Sequence, residues 1–170
     1  MNWEATGAIG EIIGAVAVVF SLIYLATQIR ISNRASRQAA EQNLLDNQRT
    51  WLGRIGENDS LSTIWLKGSR DDPTLTEVEW VRYGTLCNEI TLNWERCYLL
   101  AKDGDVSSSI VERDQRLREN IIGSLGYRKW FAARKTTLTE EFAELLESEL
   151  IVAGPYSVPY ANSDPRERET

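Results

Sequence analysis

The chain contains no histidine at all, which removes the commonest general base and the commonest metal ligand together. Cysteine is almost as scarce. Cys87 and Cys97 stand ten residues apart on one expected helix, about 15 Å along its axis and too far for a bridge between them. Free thiols agree with a reducing, cytosolic side, and nothing offers Cys or His at zinc spacing. Of the four prolines only Pro73 falls before residue 155, and no stretch alternates polar with apolar residues for long. An all-α fold is therefore expected. Positive charge is not in excess either. The net charge is −6, and Glu4 and Glu11 account for two of those charges, so nucleic acid is not expected as a partner.

The residue patterns that support catalysis are missing as well. Asp71 with Asp72, and Asp103 with Asp105, sit beside Pro or Gly, where Asp serves turns, and Asp103-Gly104-Asp105 lacks the further ligands of a calcium loop. Gly7, Gly10 and Gly14 do not lie between a strand and a helix, so they make no nucleotide loop. Without a base to activate them, Ser107 to Ser109 read as helix caps. No catalytic residue, cofactor or metal is expected, and the chain reads as non-enzymatic.

What the chain does have is one long apolar run. From Ala5 to Ile29 the only charged residue is Glu11. About 20 such residues cross a hydrocarbon core of about 30 Å, so residues 1–29 are expected to form a transmembrane helix. Met1 to Glu4 has no Lys or Arg, as a secretory leader would, so the run reads as a retained anchor. Trp3 and Tyr24 fall where aromatic belts form, and Arg30, Arg34 and Arg37 follow. The positive side faces the cytosol, which places the N-terminus outside.

Within the run Gly7, Gly10, Gly14, Ala17 and Ser21 recur at heptad spacing, with Tyr24 and Gln28 beyond them. Such a small-residue seam lets helices approach closely in lipid, which points to a homo-oligomer or a larger membrane complex. A carboxylate deep in a bilayer seeks a partner or water, so Glu11 reads either as interfacial or as a polar contact between helices. A third reading makes Glu11 a pore ring, with Ser21 and Gln28 lining the conduit.

The remainder is expected to be a helical stalk at 30–57, a cytoplasmic helical bundle at 60–154 and an extended tail at 155–170. The stalk carries Ile31, Ala35, Leu45, Leu52 and Ile55 at roughly helical spacing, diluted by Gln38, Gln42 and Arg49. A short helix follows Ser60, with Leu61, Ile64 and Trp65 on one side. Three pairs have capping-box form, Thr76 with Glu79, Ser109 with Glu112, and Thr137 with Glu140. The helix after Thr76 should run to about Lys102 with Val81, Ile90, Trp94, Cys97 and Leu99 or Leu100 buried, and the last helix should turn Phe142, Leu145, Leu146 and Ile151 inward. In the tail Tyr156, Val158 and Tyr160 are the apolar residues.

Between the second and third caps lies a basic, aromatic stretch. Arg128, Lys129, Trp130, Arg134 and Lys135 could sit on anionic lipid head groups, or the helix could bury its aromatics and solvate its cations.

The opening WEATGAIGEIIGAVAVVFSLIYLATQIR, with the later TEVEWVRYG, NWERCYLLAKDG and GYRKWF blocks, resembles a set of bacterial proteins that have one N-terminal span and a small helical cytoplasmic domain. The resemblance reaches to about Gly154 and implies that fold in a bacterial inner membrane. No activity is attached to the set, so it assigns no functional residue.

Overall fold

The structure, a computed structural model, describes the backbone of residues 3–154 and the side chains of residue 14 and residues 16–154. The described chain is all-helical, without a strand. Six α-helices follow one another: α1 (Trp3–Gly56), α2 (Asp59–Ser69), α3 (Glu77–Lys102), α4 (Ser108–Ile122), α5 (Leu125–Arg134) and α6 (Glu140–Ala153), with a 3-10 turn at Lys135–Thr137. The expected tail lies outside the described residues.

Two compact units share this chain, Met1–Ala39 and Ala40–Thr170. The first is the N-terminal part of α1, and from residue 16 to residue 39 every side chain is exposed. The second takes in the last stretch of α1. Residues 40–56, within the expected stalk at 30–57, thus contribute to the core of the second unit. Leu44 and Trp51 are buried with Gln48 between them, one turn apart each, and Ile55 packs beside them. Leu52, expected in this stripe, is 42% exposed.

The core of the second unit is unusually aromatic. Trp51, Trp65, Tyr83, Trp94, Tyr127, Trp130, Phe131 and Phe142 are all buried, joined by Ile64, Leu86, Ile90, Ile121, Ile122 and Leu146. Trp51 meets Trp65 edge to face with ring centroids 5.0 Å apart, and Trp65 lies 5.4 Å from Tyr83. Pairs of this geometry contribute about 0.5–1.5 kcal/mol each beyond the area they bury. Central α3 touches α2, α4 and α5, and α6 packs on α4. Helix α3 ends at Lys102, where Gly104 takes a left-handed conformation with φ 73°.

Of the three expected capping boxes one is formed. Glu79 N donates to Thr76 Oγ1 at 3.2 Å and Thr76 N to Glu79 Oε2 at 2.8 Å. The other two give way to distant carboxylates. Helix α4 starts behind Ser107, whose N donates to Glu41 Oε1 at 2.7 Å, and α6 starts behind Thr139, whose N and Oγ1 donate to Glu95 Oε1 at 2.6 and 2.8 Å. Asn58, between α1 and α2, caps α2 by accepting from Leu61 N at 3.0 Å. Two residues expected inside are outside, Val81 at 66% exposure and Ile151 at 80%, and of the alternatives Leu99 and Leu100 it is Leu100 that is half-buried. In α6 it is Leu150 that is buried beside Leu146.

Candidate assembly and membrane interface

The first unit is one helix, and its described side chains from residue 16 to residue 39 are exposed. Val16, Val18, Val19, Phe20, Leu22, Ile23 and Leu25 are all exposed, and this is the one described helix long and apolar enough to cross a membrane. Along it Gly14, Ala17 and Ser21 follow at intervals of three and four residues. A Cβ at Gly14 would meet nothing within 4 Å, so the helix is bare backbone at that point. Gly7, Gly10 and Glu11 belong to the same helix, and their side chains lie outside the described residues.

Three described polar side chains of the run, Ser21, Thr27 and Gln28, are tied to the helix that carries them. Ser21 Oγ donates to Ala17 O at 2.8 Å, Thr27 Oγ1 to Tyr24 O at 2.7 Å, and Gln28 Nε2 to the Tyr24 hydroxyl at 3.1 Å. Back-bonded hydroxyls have their donors satisfied, as a hydrocarbon setting requires. Ser21 and Gln28 therefore make local bonds at the positions considered for a conduit.

The basic helix α5 divides its residues differently. Tyr127, Trp130 and Phe131 are buried in the core. Arg128 Nη1 donates to Leu150 O at 2.8 Å, anchoring α5 to α6. Lys129 pairs with Asp71 at 2.7 Å and stands 5.2 Å from the centre of the Trp80 ring, and Lys135 pairs with Glu147. Arg134 is exposed. The aromatic half of the stretch is thus core, and two of its cations meet carboxylates of the same domain.

One cluster carried no sequence signal. Arg118 Nε and Nη2 hold both oxygens of Glu149, at 2.6 and 2.8 Å, while Nη1 donates to Asp114 Oδ2 at 3.1 Å. All three side chains are largely withdrawn from water, and Cys97 of α3 lies beside them. Burial pushes the Asp114 carboxyl up to about 7, against the pull of Arg118 and with a smaller push from Glu149. Burial likewise raises the Cys97 thiol to about 12, so it stays protonated. The two acids and the arginine come from α4 and α6, thirty-one residues apart between Arg118 and Glu149, which hides the triad from any local pattern. Among the described residues no three Cys, Asp or Glu side chains converge as a metal site.

Compared with protein-family models, curated proteins and solved structures, the chain matches none of them, so the functional reading rests on its own residues.

Proposed function

We propose that the protein is a non-enzymatic single-span protein of the bacterial inner membrane that assembles through its transmembrane helix and displays the helical bundle in the cytosol. The seam Gly7, Gly10, Gly14, Ala17 and Ser21 packs against the same helix of a second copy, or against a helix of a larger membrane complex. The observation that carries this reading is the complete exposure of an apolar helix from residue 16 to residue 29, beside an open backbone at Gly14. In lipid such a helix gains little from hydrophobic burial between helices, and close backbone approach supplies van der Waals contact instead.

Extraction of the full chain in mild detergent tests it, with molar mass measured by light scattering. Wild type should exceed the monomer, while Gly10→Leu and Gly14→Leu should each lower the mass. An unchanged assembly in both variants would remove the seam from the account.

A further inference from the structure

Helix α3 has a second seam, on the side that the bundle leaves open. Its buried side is Tyr83, Leu86, Cys87, Ile90, Trp94 and Cys97. On the other side Val78, Val81, Thr85, Asn88 and Leu92 follow at intervals of three, four, three and four residues. Val78 is 63% exposed, Val81 66% and Leu92 44%. Alternating threes and fours are the spacing of a helix that pairs with another helix, and a solvated helix side has no reason to be apolar at that period. Thr85 donates its hydroxyl to Val81 O at 2.9 Å, so Asn88 is the one polar layer with a group to share.

The seam has defined ends. It starts at the first turn of α3, behind the Thr76 cap. It stops at Glu95, which in the same register turns inward to accept from Thr139. That leaves two heptads, about 21 Å of helix.

Charge says what covers it. With Val78 and Val81 as the apolar pair of the first heptad, Glu77 precedes the seam on one flank and Arg82 follows it on the other. In a parallel pair the residue before one seam faces the residue five positions later in its partner. Glu77 and Arg82 are opposite in sign and five apart, both are exposed, and neither forms an ion pair among the described residues. On either side of the ridge the bundle leaves space for incoming side chains. A groove of about 460 Å³ runs between Val81, Thr85 and Trp130, and one of about 310 Å³ between Leu92 and Trp51.

We propose that this side of α3 binds a second copy of the chain in parallel register, with Glu77 of each copy against Arg82 of the other. Two heptads are too short to hold dilute chains together, so the contact rests on the membrane helix to gather the copies at high effective concentration.

Cross-linking of the full chain in detergent or nanodiscs tests this contact separately from the membrane seam. Thr85→Cys and Leu92→Cys should each form a disulfide with their own copy under mild oxidation, while Glu112→Cys on α4 should not; the native Cys87 and Cys97 are buried. Glu77→Arg should lower the yield, and adding Arg82→Glu should restore it. A wild-type assembly of normal mass in which neither cysteine bridges would overturn the α3 contact and leave the membrane seam standing. A charge exchange that fails to restore the yield would overturn the register. So would bridging only between unlike positions, Val78→Cys with Leu92→Cys, which marks an antiparallel pair. Bridges solely to a different polypeptide in native membranes would overturn the choice of partner, and a monomeric wild type would overturn both seams.

Discussion

A Cβ at Gly126 would lie 1.7 Å from the carbonyl oxygen of Gly68, so α2 and α5 meet backbone against backbone. A Cβ at Gly68 would in turn fall 2.2 Å from the ring of Tyr83, which is completely buried. Gly68 is therefore held between a backbone on one side and an aromatic face on the other, and neither can yield without moving a helix.

Gly126→Ala should thus destabilise the bundle by at least the 1–3 kcal/mol typical of overpacking, about the same as Gly68→Ala. Gly53→Ala is the comparison, because its Cβ would find its nearest neighbour, Glu57 Oε1, at 3.7 Å in the last turn of α1. There the change should be neutral or stabilising by up to about 1 kcal/mol through helix propensity. Urea unfolding followed by tryptophan fluorescence separates the two. Equal midpoints for Gly126→Ala and Gly53→Ala would contradict the close contact.

Trp51 fastens the last turns of α1 to the bundle. Its Nε1 donates to Leu86 O at 2.9 Å and its ring stands edge-on to Trp65. Trp51→Phe keeps most of the volume and gives up the hydrogen bond, so it should cost about 1–2 kcal/mol. Trp51→Ala opens a cavity as well and should cost about 3–5 kcal/mol. Trypsin reads the local consequence at Arg49 and Arg54, since cleavage needs the helix to open. Faster cutting there in Trp51→Ala than in Trp51→Phe is the expected order, and identical rates would show that α1 is held by other contacts.

The sequence was most legible where an element is governed by its own residues. The helix from Glu77 to Lys102 is bounded by a Thr76/Glu79 box at one end and Asp103-Gly104 at the other, and both signals are local. The caps at Ser109 and Thr137 failed for the opposite reason: Glu41 and Glu95, far away in the chain, supply the acceptors and shift each start by a residue or two. Val81 read as core because helical spacing gives a period but no origin. In α3 two apolar sets share that period, one facing the bundle and the other facing out. The Asp114, Arg118 and Glu149 triad was invisible because charged residues spaced along exposed-looking helices carry no sign that folding will close over them. The spacing of Gly14, Ala17 and Ser21 was legible as a pattern, while Gly7, Gly10 and Glu11 lie outside the described side chains.

That triad makes the bundle sensitive to pH. The ordinary Asp value is 3.8, and in the folded chain Asp114 is raised to about 7 by burial. A carboxyl with a higher value folded than unfolded binds a proton on folding, so its contribution is fully present below about 4 and is lost as pH climbs to about 7. Arg118 keeps its charge through that window, while Gln48, Asn93 and the protonated Cys97 are the uncharged groups around the carboxyl. Wild type should therefore lose stability on the order of 1–3 kcal/mol from this site between pH 4.5 and pH 8. Asp114→Asn cannot ionise and should show a flatter profile, gaining on wild type as pH rises. Arg118→Met should behave in the reverse sense at high pH, because it leaves two buried carboxylates without their counter-charge, at a cost of about 3–5 kcal/mol. Urea midpoints at several pH values decide the matter: if wild type and Asp114→Asn run parallel from pH 4.5 to pH 8, the Asp114 carboxyl does not titrate in the folded bundle as the buried geometry requires.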